Sequence, residues 1–315
     1  MGADKKKKSH NNKKTITLIA VLLILCVAAA GYLISMVRGG NAPKEAEESG
    51  TDTAVAAEEN AEQTTEQTAE QAAEEAALAA REKAASHVYS HRGAAGDDEL
   101  TIACYDRVIA AGSRYIEADM VVSNSGTIYL AHDDYAQDMT GIAGYFSGMT
   151  DAQIDNTKTR TGNNIYKLTD LFDKYGDSVN YLVDIKYSSN RNFNALADLI
   201  REYGNEKNVM VTSFYLDALS PFERNFPDMT KVYLCQDQAT FNVALGKDYL
   251  DVLSVPAELM TEDNLKAAHE HEKTFSVWTL NSEEEILKAI ELGVDTYFTD
   301  DTALAIQLEE QYRSE

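Results

Sequence analysis

The chain has 315 residues, of which 44% are hydrophobic and 25% are charged, and its formal net charge at pH 7 is −24. That length allows one large folded domain with additional segments. The excess of acidic side chains argues against nucleic-acid binding, because a phosphate backbone requires a basic protein surface. Cys26, Cys104 and Cys235 are far apart, so neither a disulfide framework nor a zinc site is expected.

The first 37 residues are predicted to anchor the protein in the cell membrane. Residues 1–14 contain six Lys and one Asp, which is typical of a basic cytoplasmic tail. Residues 15–37 contain no charged side chain and are long enough to cross a bilayer as a helix. The positive charge ahead of this single span predicts that the rest of the chain lies outside the cytoplasm. A cleaved signal peptide is the alternative, since Ala28-Ala29-Ala30 resembles a processing site, but the apolar run continues beyond it.

Residues 38–86 are expected to form an acidic spacer rich in Ala, Glu and Gln. Few of its side chains are apolar, so it should not form a core of its own. The stretch from Ala61 to Ala85 contains strong helix formers and is predicted to be a helical stalk, whereas the first part should be disordered. The folded domain is predicted to begin at His87 and to occupy residues 87–315.

The domain alternates β-branched or aromatic runs with amphipathic stretches. Nine strands are predicted, at His87–Arg92, Tyr115–Val122, Thr127–His132, Asn180–Lys186, Val209–Phe214, Lys231–Cys235, Asp251–Val255, Phe275–Leu280 and Thr296–Thr299. Only a four-residue turn separates the second strand from the third, and a parallel crossover needs about a dozen residues, so these two should form an antiparallel hairpin. The other eight, with helices between them, predict an α/β fold, the TIM (β/α)8 barrel. The long connection 134–179 should hold a small insertion after the second barrel strand.

Two acidic side chains in the second predicted strand indicate a metal site. Glu117 and Asp119 are two residues apart, so their side chains should point to the same face. Two carboxylates side by side in an apolar strand repel each other unless a cation lies between them, and a hard divalent metal is the simplest candidate. Asp184 and Lys186 repeat this spacing in another apolar strand.

Reactive side chains of a TIM barrel lie where the strands end at its C-terminal face. The candidates fall at or near predicted strand ends: His91, Arg92, Glu117, Asp119, Asp184, Lys186, Ser213 and Trp278. We therefore expect side chains from five strands to converge on one mouth.

From about Ser90 to Ala305 the chain resembles the glycerophosphodiester phosphodiesterase family. The matching features are His91-Arg92-Gly93, Glu99 with Thr101, Ala111-Gly112, Glu117-Ala118-Asp119, Ser125-Gly126, His132-Asp133, Thr140-Gly141, Ser213-Phe214, Trp278-Thr279 with Asn281, Gly293-Val294-Asp295 and Thr299-Asp300. The resemblance implies a TIM barrel that carries a small insertion. The family usually has Glu where Asp184 stands, but relatives resembling sphingomyelinase D use Asp-x-Lys here, so a ligand role for Asp184 is retained.

The resemblance also implies a role for each site residue. The implied roles are metal ligands for Glu117, Asp119 and Asp184, the acid–base pair for His91 and His132, phosphate contacts for Arg92 and Lys186, and supporting or substrate-wall residues for Glu99, Ser213 and Trp278. These roles match the needs of phosphodiester hydrolysis, which requires neutralised phosphate oxygens, a deprotonated nucleophile and a protonated leaving group. The residues do not distinguish which imidazole is the acid, nor attack by water from attack by a neighbouring substrate hydroxyl.

The sequence thus predicts an enzyme that uses one divalent metal, Ca²⁺ or Mg²⁺, to hydrolyse glycerophosphodiesters to sn-glycerol 3-phosphate and an alcohol. The substrate would be a deacylated phospholipid or a glycerophosphate polymer of the cell envelope. One alternative is phospholipase D-like or C-like activity on intact lipids or lysolipids, which the membrane anchor and the Asp184-x-Lys186 pair suggest. Another is a non-catalytic barrel that binds an envelope polymer.

Overall fold

The computed structural model describes residues 71–72, 74–93 and 99–313, and these residues lie in one compact unit that extends from Thr68 to Glu315. The predicted cytoplasmic tail and transmembrane helix lie outside the described residues, as does most of the predicted spacer. Within the described part of the chain, no helix combines the length and the apolar character needed to cross a bilayer.

The strands close into a barrel. They are β1 (Val88–Ser90), β2 (Tyr115–Val122), β3 (Ile128–Leu130), β4 (Asn180–Ile185), β5 (Val209–Ser213), β6 (Lys231–Leu234), β7 (Val252–Pro256), β8 (Thr274–Trp278) and β9 (Thr296–Thr299). Parallel pairing runs from β2 to β4 and then through each successive strand to β9, and β1 closes the circle by pairing with both β9 and β2. β3 runs antiparallel to β2. The predicted eight-stranded parallel barrel and the predicted hairpin are both confirmed.

Helices fill the connections between the strands. They are α1 (Ile102–Ala110), α2 (Gln137–Thr140), α3 (Asp151–Asp155), α4 (Leu168–Tyr175), α5 (Asn190–Tyr203), α6 (Leu216–Asn225), α7 (Gln238–Leu245), α8 (Glu262–Glu270), α9 (Glu283–Leu292) and α10 (Thr302–Tyr312). Polar caps fix several of their starts. Ser282 and Glu285, for example, form a capping box that satisfies the first amides of α9.

The strand register places acidic side chains next to each other inside the barrel. Asp119 of β2 is the register partner of Asp184 of β4, and Glu117 is the partner of Leu182. Leu182 belongs to a cluster of buried side chains from β1, β4, β6, β7 and β9 that fills the barrel interior. Since register partners in a parallel sheet point to the same side, all three carboxylates face that interior.

The insertion between β3 and α4 packs against the β2–β3 hairpin and has a small core of its own. It contains α2, a 3₁₀ turn at Phe146–Gly148 and α3. Phe146, Ile154 and Ile165 of the insertion pack with Val121 and Tyr129 of the hairpin, apart from the main barrel core. The insertion therefore lies where the sequence predicted it, after the second barrel strand.

A helical segment at residues 74–86 precedes β1 and packs against the domain. Ala84 and Ala85 are buried in the main hydrophobic core, at 5% and 0% exposure, and Arg81 Nη2 donates to the carbonyl of Ala111 at 2.7 Å. The compact unit thus starts ahead of the predicted boundary at His87. Small alanine side chains permit this close approach, although nothing in the polar composition of the segment indicates it.

Candidate active site

One cavity of about 230 Å³ at the barrel mouth brings together the predicted catalytic, phosphate-binding and metal-binding residues. Its lining residues are His91, Arg92, Glu117, Asp119, His132, Asp184, Lys186, Thr212, Phe214, Leu234, Trp278, Thr279 and Phe298. They come from strands that are far apart in sequence, because the closed parallel barrel brings the C-terminal ends of its strands to one face. Of the eight side chains predicted to converge on the mouth, seven line this cavity and Ser213 does not, and His132 lines it as well.

Three buried carboxylates form one wall of the cavity. Glu117, Asp119 and Asp184 are exposed by only 3%, 0% and 2%, and each offers an oxygen that lies within 4.8 Å of those of the other two. Both oxygens of Asp119, and Oδ1 of Asp184, have no well-directed hydrogen-bond partner among the described residues. Buried carboxylates of this kind need a compensating cation, so the residues present fit a divalent metal with oxygen ligands.

Two basic side chains flank these carboxylates. Lys186 Nζ lies 2.5 Å from Asp119 Oδ1 and 2.5 Å from Asp184 Oδ2. Arg92 Nε lies 2.9 Å from Asp119 Oδ2. The contacts to Asp119 bring opposite charges together without the alignment of a hydrogen bond. Positive charge therefore already surrounds the position where an anionic substrate group would meet the acidic wall.

The pKa shifts of the three carboxyls follow from burial and from their neighbours. Burial and the nearby Asp119 raise the pKa of Glu117 well above its usual range. Burial likewise raises the pKa of Asp184 to about 6, against the opposing effect of Lys186. Burial also disfavours the charged form of Asp119, but Lys186 and Arg92 outweigh it, and the pKa of Asp119 is lowered. The site thus disfavours the negative charge of Glu117 and Asp184, whereas Lys186 and Arg92 stabilise that of Asp119.

The His91-Arg92-Gly93 turn has backbone geometry that fixes Arg92. Arg92 has a φ of 51°, and its amide donates to Glu117 Oε2 at 3.0 Å. Gly93 has a φ of 104°, and a Cβ there would lie 2.5 Å from the Cβ of Cys104. Only glycine fits that position without displacing α1, so the turn is held in the conformation that directs Arg92 toward the carboxylates.

Asp300 and Asn281 hold the His91 imidazole. His91 Nδ1 lies 2.6 Å from Asp300 Oδ1, and Asn281 Nδ2 donates to Asp300 Oδ2 at 2.6 Å. A carboxylate can only accept, so Nδ1 carries the hydrogen and Nε2 is left as the free nitrogen. The hydrogen bond from His91 has the largest effect on the Asp300 carboxyl and lowers its pKa.

His132 follows the hairpin and lies at the more open side of the cavity. The amide of Ala131 donates to the carbonyl of Asp119 at 3.2 Å, which extends the β2–β3 pairing and brings the next residue, His132, to the mouth. Its Nδ1 lies 2.9 Å from Asp133 Oδ2, and the His132 side chain is 41% exposed. Like His91, it therefore has a carboxylate at Nδ1 and an Nε2 that carries no hydrogen in the neutral ring, but its side chain is more exposed to solvent.

The three predicted supporting residues differ in position. Glu99 Oε2 accepts from Arg92 Nη1 at 3.2 Å and borders a neighbouring cavity. Trp278 lines the site edge-on to Phe214, with ring centroids 5.5 Å apart. Ser213 is fully buried and donates to the carbonyl of Ile185 at 2.6 Å, so it connects two strands and does not line the cavity.

The sequence did not assign a role to Asp300 or Asn281, although both belong to the matching features. Asp300 directly follows β9, and Asn281 follows β8 by a few residues. Because β1 pairs with β9, the residue after β9 must lie beside the residue after β1, which is His91. The pairing of the first and last strands could therefore have predicted that Asp300 lies beside His91.

A parallel barrel with imidazoles, basic side chains and an acidic cluster at its mouth defines an enzyme that acts on an anionic substrate. The model of the glycerophosphoryl diester phosphodiesterase family matches residues 91–304, which is most of the described domain. The chain belongs to this family, as predicted, and it is a phosphodiesterase of the glycerophosphodiester class.

Related proteins and solved structures agree with this placement. A glycerophosphodiester phosphodiesterase from Bacillus altitudinis is 21% identical over 248 residues, which cover 72% of this chain and 99% of the relative. One from Caldanaerobacter subterraneus subsp. tengcongensis is 26% identical, with coverage of 70% and 96%. A phosphodiesterase from Oleispira antarctica, solved in complex with the product sn-glycerol-3-phosphate, has the same fold, with a TM-score of 0.64, 18% identity and coverage of 71% and 96%.

Proposed function

We propose that this chain hydrolyses glycerophosphodiesters to sn-glycerol 3-phosphate and an alcohol, with His91 and His132 as the acid–base pair. The observation that carries the proposal is the meeting of two imidazoles, two basic side chains and three buried carboxylates around one cavity. Each requirement of diester hydrolysis has a matching group there. The product bound by the Oleispira protein is the one that this reaction would release.

In this proposal Glu117, Asp119 and Asp184 hold one divalent cation, Ca²⁺ or Mg²⁺. Both ions take carboxylate oxygens as ligands. Asp184 Oδ1 has no hydrogen-bond partner among the described residues, and the oxygens of Asp119 have only their charge contacts with Lys186 and Arg92, which supports such a role. When bound, the cation would supply positive charge that offsets the non-bridging phosphate oxygens.

Arg92 and Lys186 are proposed to bind the phosphate. Arg92 presents a planar fork of donors suited to two phosphate oxygens, and Lys186 is a compact point charge. Both border the carboxylates and the cavity. The buried Asp119 carboxylate lies between these two basic side chains and holds both of them beside the acidic wall.

His91 and His132 are proposed to move protons through their free Nε2 atoms. With Nδ1 donating to Asp300 or to Asp133, a neutral ring accepts a proton at Nε2 and a charged ring donates one there. One imidazole removes the proton from the attacking water or neighbouring substrate hydroxyl, and the other protonates the departing alkoxide. If the substrate hydroxyl attacks, water must then open the cyclic phosphate to give sn-glycerol 3-phosphate. The carboxylate behind each ring stabilises the imidazolium that forms during proton transfer.

A substrate panel tests this function. The full-length protein would be incubated separately with glycerophosphocholine, glycerophosphoglycerol, a glycerophosphate polymer and lysophosphatidylcholine. Released sn-glycerol 3-phosphate would be measured for the first three, and released choline or phosphocholine for the lysolipid. We expect release from one or more of the first three. Cleavage of lysophosphatidylcholine alone would instead support the lipid-directed alternative, and cleavage of none would contradict the proposal.

We also propose a location for the enzyme: a single transmembrane helix at residues 15–37 places the phosphodiesterase domain outside the cytoplasm. The charge difference across that segment supports this orientation. A single engineered cysteine in residues 1–14, or one on the exposed surface of α9, would be labelled with a membrane-impermeant maleimide in intact cells. We expect labelling of the α9 variant only, and the reverse pattern would overturn the orientation.

A further inference from the structure

A second cavity opens directly beside the candidate active site. It measures about 410 Å³ and shares Arg92 and His132 with the first cavity. If the diester phosphate lies against Arg92, as the proposed function requires, the second space is adjacent and can receive one of its two ester arms. We call it the insertion pocket, because residues 135–161 of the insertion supply much of its wall.

The two cavities suit different halves of the substrate. The first cavity is the smaller, and its lining includes the rings of Phe214, Trp278 and Phe298, which suits a compact glycerol moiety. The insertion pocket has almost twice that volume and a half-exposed aromatic side chain, Tyr135. The alcohol that leaves would therefore occupy the insertion pocket.

Negative charge predominates among the titratable side chains of the insertion pocket when Arg92, the proposed phosphate contact, is left out. Glu99, Asp133 and Asp138 contribute carboxylates; Glu99 contacts Arg92 and Asp133 contacts His132. Arg92 faces the carboxylates of the first cavity and would be engaged by the phosphate. The remaining guanidinium, Arg160, donates from Nε to the carbonyl of Asp138 at 2.7 Å and from Nη2 to that of Gln137 at 2.8 Å, so two of its donating groups are occupied by α2.

Asp138 and Tyr135 are available to a ligand. The Asp138 side chain is exposed and makes no hydrogen bond or ion pair with the described residues. The Tyr135 ring is 42% exposed, and its orientation is supported by the Tyr145 ring, with centroids 5.1 Å apart. Tyr135 thus shares one cavity with carboxylates, and aromatic rings and negative charge are what recognise quaternary ammonium groups.

We propose that the insertion pocket binds the leaving alcohol and selects an alcohol that carries a positively charged ammonium group. The same carboxylates repel an arm that carries a second phosphate, as in a glycerophosphate polymer. This inference rests on the proposed function and specifies its substrate: a glycerophosphodiester with a cationic alcohol.

The test compares substrates of different charge on the full-length protein. The ratio of kcat/KM for glycerophosphocholine to kcat/KM for glycerophosphoglycerol would be measured for the natural chain and for Asp138→Asn and Tyr135→Leu. We expect each substitution to lower this ratio by roughly two- to fivefold, as a partly exposed cation–π or charge contact would. Asp198→Asn, on the outer helix α5 and away from both cavities, is the matched control and should leave the ratio unchanged.

Three results would overturn the inference. They are a natural chain that prefers the glycerol diester or the polymer, variants that lower both kcat/KM values equally, and variants that leave the ratio unchanged while hydrolysis proceeds. Hydrolysis of neither diester nor of the polymer would instead overturn the proposed function, and this inference with it, so the two failures are distinguishable.

Discussion

The two sides of the active-site mouth are built from different kinds of structure. Glu117, Asp119 and Asp184 lie on paired barrel strands, fully buried and fixed by register. His132 and the insertion pocket lie on connecting segments, with a small separate core and many exposed side chains. A rigid wall suits the chemistry that every substrate shares, whereas loops tolerate the sequence changes that set which alcohol is accepted. We therefore expect changes at the three carboxylates and the two imidazoles to abolish activity, and changes elsewhere in the insertion pocket to redirect it.

Removal of either imidazole should have the largest effect. His91→Ala and His132→Ala should each lower kcat by roughly 10²- to 10⁴-fold, because each deletes a group that transfers a proton. Steady-state kinetics on the best glycerophosphodiester would measure the loss. His271→Ala is the matched control, since that exposed ring lines neither cavity and hydrogen-bonds to the carbonyl of Ala267. If either site variant retained full activity, the role assigned to that histidine would be wrong.

Asp300→Asn should lower kcat by roughly 10- to 100-fold. An amide can donate to His91 Nδ1, which places the ring hydrogen on Nε2 and leaves no lone pair toward the substrate. The profile of kcat against pH should also change shape, which a purely structural defect would not cause. Asn281→Ala should give a smaller loss with the same direction, since it removes only the support of Asp300. An unchanged profile in Asp300→Asn would contradict the positioning role.

The helical segment before β1 offers a stability comparison without a catalytic effect. Ala85→Glu should lower the free energy of unfolding by roughly 2–4 kcal/mol, because Ala85 is fully buried and its replacement forces a charge into the core. Ala79→Glu, on the exposed part of the same segment, should have almost no effect. Thermal unfolding of the two full-length variants would be compared. Equal melting temperatures would show that the segment does not contribute to the domain's stability.

The smallest expected effect is on stability, and it comes from the hydrogen bonds that attach the insertion to the β2–β3 hairpin. Asp151 at the start of α3 accepts from the hydroxyls of Ser123 and Thr127 in the β2–β3 hairpin. Burial raises the pKa of Asp151, but these hydrogen bonds outweigh it, and the net pKa is lowered. A lowered folded-state pKa means that the contribution to stability is present above the unfolded-state pKa of about 3.9 and is lost as the pH falls through the folded-state value.

Asp151→Asn should therefore lower the free energy of unfolding by about 1 kcal/mol at pH 7 and by less below pH 4. Hydrogen exchange at the insertion amides, measured at both pH values, would detect the local loss. A difference between variant and natural chain that is the same at both pH values would show that the ionised carboxylate is not what matters.

The same contrast explains what could be predicted from the sequence. Glu117 and Asp119 could be assigned to one face because strand alternation is strictly local, and the run of strands and helices constrained the barrel. The partner of His91 is Asp300, 209 residues away, and it becomes visible only through the pairing of β1 with β9. The insertion pocket depends on how short helices and turns pack, which no periodic pattern encodes. The burial of Ala84 and Ala85 could not be predicted either, because they lie in a polar, alanine-rich stretch without a recognisable apolar face.

The most direct test of the central claim is cation binding by the three buried carboxylates. Thermal unfolding of the chelator-treated full-length protein would be followed as Ca²⁺ or Mg²⁺ is added, alongside Glu117→Gln. We predict that the cation stabilises the natural chain, by about 2.7 kcal/mol at a hundredfold excess over its Kd, and restores hydrolysis that the chelator removed. Glu117→Gln should show neither response. Stability and hydrolysis that are both indifferent to chelation in the natural chain would contradict the account.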